Sequence, residues 1–278
     1  MEIVPGSGEK GGMYQDQAFG DQLRDWRQRR RLSQLDLAAE AELSTRHLSF
    51  VETGRAKPSR EMVLRLAEAL ELPLRSRNAL LIAAGYAPSF PERPLEESAQ
   101  PEARLLVQRI LDAHMPFPAI AVDRHWHLVM HNKAAGALMA GVAAHLIEPP
   151  VNVLRLSIHP EGLAPRIANL ADWKRHILER LRHQYSESGD AVLEELIEEL
   201  RAYPAPASKT PSGTNALIAL PMILDSPVGQ LSFISTTTVF GTPVEVTMSE
   251  LAIESFFPAD GETAERLRMM AAHSSSRP

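Results

Sequence analysis

The run SQLDLAAEAELSTRHLSFVETGRAKPS, residues 33–59, constrains this chain more than any other stretch. Ser33 followed three residues later by Asp36 is a capping box, so a helix begins at Gln34. Leu37, Ala38 and Ala41 recur at helical spacing and form its inner face. Leu43, Leu48 and Val51 repeat the pattern for a second helix, which Gly54 stops. The turn between them is too short to let the helices part, and Ala38 is the small residue where they must approach. Ser44, Thr45, Arg46, His47 and Ser49 are left facing outward. They are side chains of base-reading type, since arginine can clamp guanine and serine or threonine can reach either kind of base.

Three more helices surround this pair. Leu23 and Trp26 set a helical period from Asp21, with Leu32 at its end; Ser59 is the N-cap of a helix over REMVLRLAEAL; and Pro73 breaks the chain before LRSRNALLIAA. Five short helices with brief connections make a compact all-α domain over residues 18–86. Between Gly20 and Gly85 twelve Lys/Arg face nine Asp/Glu, although the whole chain carries a net charge of −6. The basic excess is therefore local. This stretch resembles the phage-repressor and Cro-like helix-turn-helix family in its spacing, its small residue, its glycine stop and the GRxxP that follows. Glu42 stands where that family has glycine in the turn, and a left-handed backbone there costs a non-glycine residue about 1 kcal/mol. The resemblance implies that Gln34 touches phosphate, that residues from Ser44 to Ser49 read bases, and that Arg55, Lys57 and Ser59 hold the DNA backbone.

Prolines 88, 91 and 94 in APSFPERPLEES mark a linker over 87–100, and residues 1–17, Gly-rich and polar, read as a disordered arm with no signal peptide. Beyond the linker, AIAVD is a short strand, RHW a turn and HLVMHN a returning strand, with Asn132 capping the helix KAAGALMAG. A short helix over NVLRLSI, a loop from His159 to Pro165, a long amphipathic helix from about Asn169 and a helical segment from Asp190 to Tyr203 follow. PAPASKTPSGTN is a loop. ALIALPMIL, QLSFISTTTVF and EVTMSELAIESFFPAD are strands, and ETAERLRMMAA closes the chain as a helix. Residues 101–278 thus form an α+β domain with an antiparallel sheet beneath a helical insert.

The stretch HWHLVMH poses a metal question. His127 and His131 share a strand face but lie about 13 Å apart. His125 and His127 could chelate, but the sequence places no carboxylate or third histidine beside them, so no metal site is expected.

The second domain resembles the MmyB-like ligand-binding domain, of PAS-like fold, through PAIAVDRHWHLVMHNKAAGALM, NVLRLSIHPEGLAPRIANLADWKRHILERLR and the closing strand-rich run. That family's Trp-Asn pair stands here as His131-Asn132. The resemblance implies a bacterial regulator that binds a small organic molecule, with long-chain fatty acids a plausible class. Asn132, Arg155, His159, Asn169 and Trp173 are the expected ligand-binding residues, and Arg166 and His176 lie near the same covering segments. A carboxylate head would call for an arginine or histidine donor.

Cysteine is absent, which excludes disulfides, thiolate metal sites and cysteine nucleophiles. No apolar run reaches the length of a membrane span. Ser157, His159 and Glu161 in SIHPEG make no triad, and PSGTN is no nucleophile elbow. The expectation is a cytoplasmic, non-enzymatic, homodimeric regulator that binds operator DNA and a small apolar ligand, with no cofactor. An antitoxin-like protein-binding module and a hydrolase stay open as alternatives.

Overall fold

The computed structural model describes residues 18–93, 101–206 and 220–274. The expected arm over 1–17, most of the loop PAPASKTPSGTN, the start of the strand ALIALPMIL and the linker from residue 94 lie outside the described residues. The chain divides into two compact units, residues 1–92 with 244–249, and residues 93–243 with 250–278.

The first unit holds α1 (Phe19–Arg29), α2 (Gln34–Glu40), α3 (Thr45–Glu52), α4 (Arg60–Ala69) and α5 (Leu74–Ala83). Leu23, Trp26, Leu37, Leu48, Val51, Leu66, Leu80 and Leu81 fill its core. Each leucine buried in this way contributes about 1.5–3 kcal/mol. The Ser33 hydroxyl accepts from the Asp36 backbone N–H at 3.1 Å, and the Asp36 carboxylate accepts from the Ser33 N–H at 2.9 Å, which completes the capping box. Glu42 has φ 53°, a left-handed turn built without glycine. Gly54, at φ 71°, follows the end of α3. Gly20 allows α1 to meet α3, because a Cβ there would stand 2.3 Å from the Glu52 carbonyl oxygen.

The second unit opens with α6 (Pro101–Ala113), which the sequence reading passed over. Then come β1 (Ala119–Val122), β2 (Leu128–His131), α7 (Lys133–Leu138), α8 (Val153–Ile158), α9 (Leu170–Ser188) and α10 (Ala191–Ala202). After the second gap come β3 (Met222–Ser226), β4 (Gly229–Val239), β5 (Ala252–Pro258) and α12 (Gly261–Ser274); α11 (Val246–Glu250), between β4 and β5 in the chain, belongs up to Ser249 to the first unit. The five strands form one antiparallel sheet in the order β2-β1-β5-β4-β3. β1 is buried on both faces. Ile120 and Val122 join the main core with Leu156, Ile177, Leu181, Leu196 and Phe233. Strand alternation sends Ala119 and Ala121 the other way, and α6 packs against β1 and β2 with Val107 and Leu111 buried. The expected strand from Glu245 is corrected: its first part is α11, because the Glu245 carboxylate accepts from the Met248 N–H at 2.7 Å and starts a helical turn.

Candidate functional site

On the first unit, α3 presents one polar face. Ser44 is its N-cap and accepts from the His47 N–H at 3.2 Å. Arg46 is exposed, with its guanidinium carbon 5.4 Å from the Phe50 ring centroid. Thr45, His47 and Ser49 are half-buried. Arg55, Lys57 and Ser59 are exposed just beyond; Ser59 caps α4 by accepting from Met62 at 3.2 Å, and the Lys57 ammonium lies 5.8 Å from the Tyr86 ring. The Tyr86 hydroxyl in turn donates to the Pro58 carbonyl at 2.9 Å, which fixes the loop that carries Lys57.

Behind this face lies a buried polar network that the sequence reading missed. Glu52, at 2 % exposure, accepts from Arg27 Nε at 2.7 Å and Nη2 at 3.1 Å, and from Gln34 Nε2 at 2.7 Å. A carboxylate out of water is costly unless fully partnered, and this forked contact partners it. The network pins α1 and α2 to the end of α3. Gln34 is thus drawn onto Glu52, where one of its amide hydrogens is used.

In the second unit a cavity of about 90 Å³ lies between the sheet and the helical insert. Its walls include Ile120, Leu138, Leu156, Ile177, Leu224 and Phe256, with Trp126, Ser157, Trp173, His176, Arg180 and Glu254 as the polar members. Trp173 donates its indole N–H to Ser157 Oγ at 2.9 Å and stacks on His176 with centroids 5.5 Å apart. Burial, then the nearby Arg180 charge, push the His176 pKa below its usual value, against the pull of Glu179 and Glu254. Arg180 donates to both oxygens of Glu254, at 2.9 and 3.1 Å, and lies over Trp126 at 4.3 Å. The charges in the cavity wall therefore satisfy one another, and the open surface is apolar.

Of the expected ligand-binding residues, Trp173 lines this cavity and the other four do not. Asn132, at 1 % exposure, donates to Leu111 O (3.0 Å) and Phe117 O (2.8 Å) and accepts from Ala135 N (3.0 Å) and Ala119 N (3.2 Å). Its two donors and two acceptor sites are all spent inside the fold. Arg155 is forked onto Glu199 at 2.6 and 2.7 Å, and Glu199 also accepts from the Tyr203 hydroxyl. Asn169 joins α9 to β3 by donating to Pro221 O at 2.8 Å and accepting from Ile223 N at 3.0 Å. His159 accepts from the Glu161 N–H at 3.1 Å and packs edge-on against Tyr203. Arg166 donates to the carbonyls of Leu138 and Asp225. Arg180 and Glu254 were absent from the sequence reading, since they meet across 74 residues of chain with no local signal.

One expectation about the histidines is corrected. A carboxylate does stand beside His125 and His127: Asp123, whose Oδ2 is 3.0 Å from His127 Nδ1. The tight turn brings it back onto the histidines two and four residues later. Two groups among the described residues could hold a metal ion, Asp123 with His125 and His127, and His145 with His159 and Glu161.

A helical unit with a two-helix polar reading face, in one chain with an α+β unit around an apolar cavity, defines a DNA-binding transcription regulator with a ligand-binding domain. The chain belongs to the family of the MmyB-like transcription regulator ligand binding domain, matched over residues 103–270, and residues 18–80 match a helix-turn-helix domain family. It is 36 % identical over 81 residues to a Bacillus subtilis (strain 168) protein described as the uncharacterized HTH-type transcriptional regulator RghRB. That match covers 29 % of this chain, and the chain spans about half, 56 %, of that relative. Among solved structures it is similar to the restriction-modification controller protein C.AhdI from Aeromonas hydrophila, with 36 % identity over 21 % of this chain and 89 % of that one, at a TM-score of 0.21. An RNA-binding Light-Oxygen-Voltage receptor aligns with 92 % of this chain and 64 % of its own at 16 % identity and a TM-score of 0.26. No described helix is long and apolar enough to cross a membrane.

Proposed function

We propose that this regulator works in the cytoplasm as a homodimer, without catalysis. Ser44, Thr45, Arg46, His47 and Ser49 read an operator while Gln34, Arg55, Lys57 and Ser59 engage or support the phosphate contacts. The observation that carries the reading is the exposed polar face of α3, fixed from behind by buried Glu52. A reading helix must be both open to solvent and rigid, since a base contact depends on register.

The effector we infer is a compact apolar molecule in the cavity, with an acyl chain as the class the family resemblance suggests. Its polar end lies at Trp173 and His176, where the neutral imidazole favours a neutral head group over a charged one. A carboxylate head would have to draw Arg180 from Glu254 and leave that glutamate buried and alone, a loss of about 3–5 kcal/mol. Ligand alters DNA binding by favouring one arrangement of the two reading heads in the dimer over another.

The test has two arms. Selection of duplexes from a random library at moderate salt should enrich a two-part site, and failure to retain any sequence overturns the DNA assignment. Thermal denaturation with neutral and carboxylate acyl compounds of rising length should show stabilisation that peaks at one length, following RT ln(1 + [L]/Kd), and is stronger for the neutral series. Stabilisation that climbs without a peak marks detergent-like binding, and none at any length removes the acyl class while leaving the DNA assignment intact.

A further inference from the structure

The β1–β2 turn gathers metal-ligating atoms that neither the α3 face nor the cavity uses. Asp123 Oδ1 accepts from the backbone N–H groups of His125 and His127, each at 2.8 Å. Its other oxygen meets His127 Nδ1 at 3.0 Å. The His125 ring stands edge-on to the His127 ring, centroids 6.0 Å apart, and its Nε2 lies 2.8 Å from Asp190 Oδ2. One ligand atom each from Asp123, His125 and His127 lie within 4.8 Å of one another. All three residues are half-buried and held by backbone as well as by side chain. Burial works to raise the Asp123 pKa, but the hydrogen bonds from His127 and His125 outweigh it and leave the carboxyl below its usual range.

We propose that Asp123, His125 and His127 form a binding site for a divalent transition-metal ion of the zinc class. Two imidazoles and a carboxylate are a mixed nitrogen and oxygen set of the kind that suits Zn²⁺, with bonds of about 2.0–2.2 Å. Tetrahedral coordination puts such ligand atoms roughly 3.3 Å apart, and the three here start within 4.8 Å of one another. His125 then binds through Nδ1, while Nε2 stays protonated and donates to Asp190. That pair is the outer carboxylate which orients a metal-bound imidazole and raises its basicity. His127 takes the tautomer protonated on Nε2, so that Nδ1 is free of the proton it shared with Asp123 and the ion takes that place between them. Asp123 and Asp190 both carry negative charge toward the ion, and Arg124, 3.9 Å from Asp190, is held by Glu250 at 3.3 Å. The second group, His145 with Glu161 and His159, makes the weaker site, because the His145 and Glu161 side chains are 55 % and 66 % exposed and meet each other only at 4.0 Å.

The site has a structural consequence. Trp126 sits between the two histidines with φ 68°, and its indole lines the cavity while donating to Gln184 at 2.9 Å. An ion bound on both sides of Trp126 stiffens that wall.

The metal assignment stands apart from the regulator reading, and so does its test. The full chain, free of any histidine tag and stripped with chelator, is titrated with Co²⁺ and then Zn²⁺. Visible absorption of a four-coordinate Co²⁺ complex should saturate at one ion and disappear on adding Zn²⁺. His127→Gln should weaken Zn²⁺ binding at least about tenfold, and Asp190→Asn, through the outer pair, about 10–100-fold. His145→Ala should leave the affinity unchanged. Should a variant fail to fold, imidazole NMR of the unaltered protein decides: Zn²⁺ should shift the His125 and His127 rings and spare those of His145 and His159. No saturable Zn²⁺ binding, or binding that follows His145 and His159 instead, overturns the assignment.

Discussion

Arg46, in the first turn of α3, and Lys57, on the loop after it, both offer a positive charge, but their settings differ. Arg46 projects from α3 beside Phe50, while Lys57 lies on the following loop beside Tyr86. Arg46→Ala should cost about 1–3 kcal/mol on the selected operator and relax preference at one base position. Lys57→Ala should weaken all duplexes alike and shallow the salt slope by roughly one unit. A competition assay that finds operator preference intact in Arg46→Ala disproves the base contact. His176 supplies a prediction about pH. Its pKa is lowered from 6.5 in the folded protein, first by burial and then by Arg180. Between the two values the unfolded chain binds more protons than the folded one. The stability His176 contributes is therefore full above pH 6.5 and is lost as pH falls through its lowered folded value. Asp123 and Asp190, lowered from the ordinary 3.8, and Glu199, lowered from 4.5, lose their contributions only in more acid solution. Melting curves between about pH 7 and pH 5 should fall for the natural protein and fall less for His176→Phe; parallel curves would refute this.

The turn between α2 and α3 shows how an element tolerates a locally unsuitable residue. Glu42 holds φ 53° because Leu43 N bonds Ala38 O at 2.8 Å and Glu42 N bonds Ala39 O at 3.2 Å, closing the end of α2. Packing of Leu37 and Leu48 offsets the strain. Glu42→Gly should raise the stability of this unit by about 1 kcal/mol without changing DNA binding, as seen in denaturant unfolding followed by the Trp26 indole NMR signal. An unchanged or lowered midpoint would show that the left-handed turn is not strained. Legibility differed among the elements. The capping box, the Ala38 contact and the Asn132 cap were readable because each is a local pattern, bonded within a few residues. α6 went unread because it is apolar on more than one side: Val107 and Leu111 are buried, while Leu105, Leu106 and Ile110 are exposed, which blurs the helical stripe. α11 was read as strand because Val244, Val246 and Thr247 are β-branched and favour extended backbone.

At the scale of the whole molecule, one small reading head makes too few contacts for operator-level affinity, and two-fold proteins match half-sites about one helical turn apart. The homodimer proposed above predicts packing of a second copy on the exposed apolar residues of α6, Leu105 at 53 %, Leu106 at 47 % and Ile110 at 37 % exposure. Light scattering should report a dimer at micromolar concentration, and Leu106→Glu with Ile110→Glu should give a monomer whose footprint shrinks to one half-site. A monomeric natural protein, or a variant that stays dimeric, defeats this placement.

Residue spacing alone determined the helix pair, the cap at Ser33, the polar row from Ser44 to Ser49 and most of the strands and helices after the linker, α6 and α11 excepted. These follow from periods of two and 3.6 and from bonds that close within one turn. Only the tertiary structure decided the rest. It exhausted the hydrogen bonds of Asn132 in structural work, matched Arg155 to Glu199 away from the cavity, and brought Arg180 to Glu254 at its wall. It also folded Asp123 back onto two histidines. Whether a polar side chain is free to meet a ligand depends on which distant partner has already claimed it, and that is set by packing across the chain.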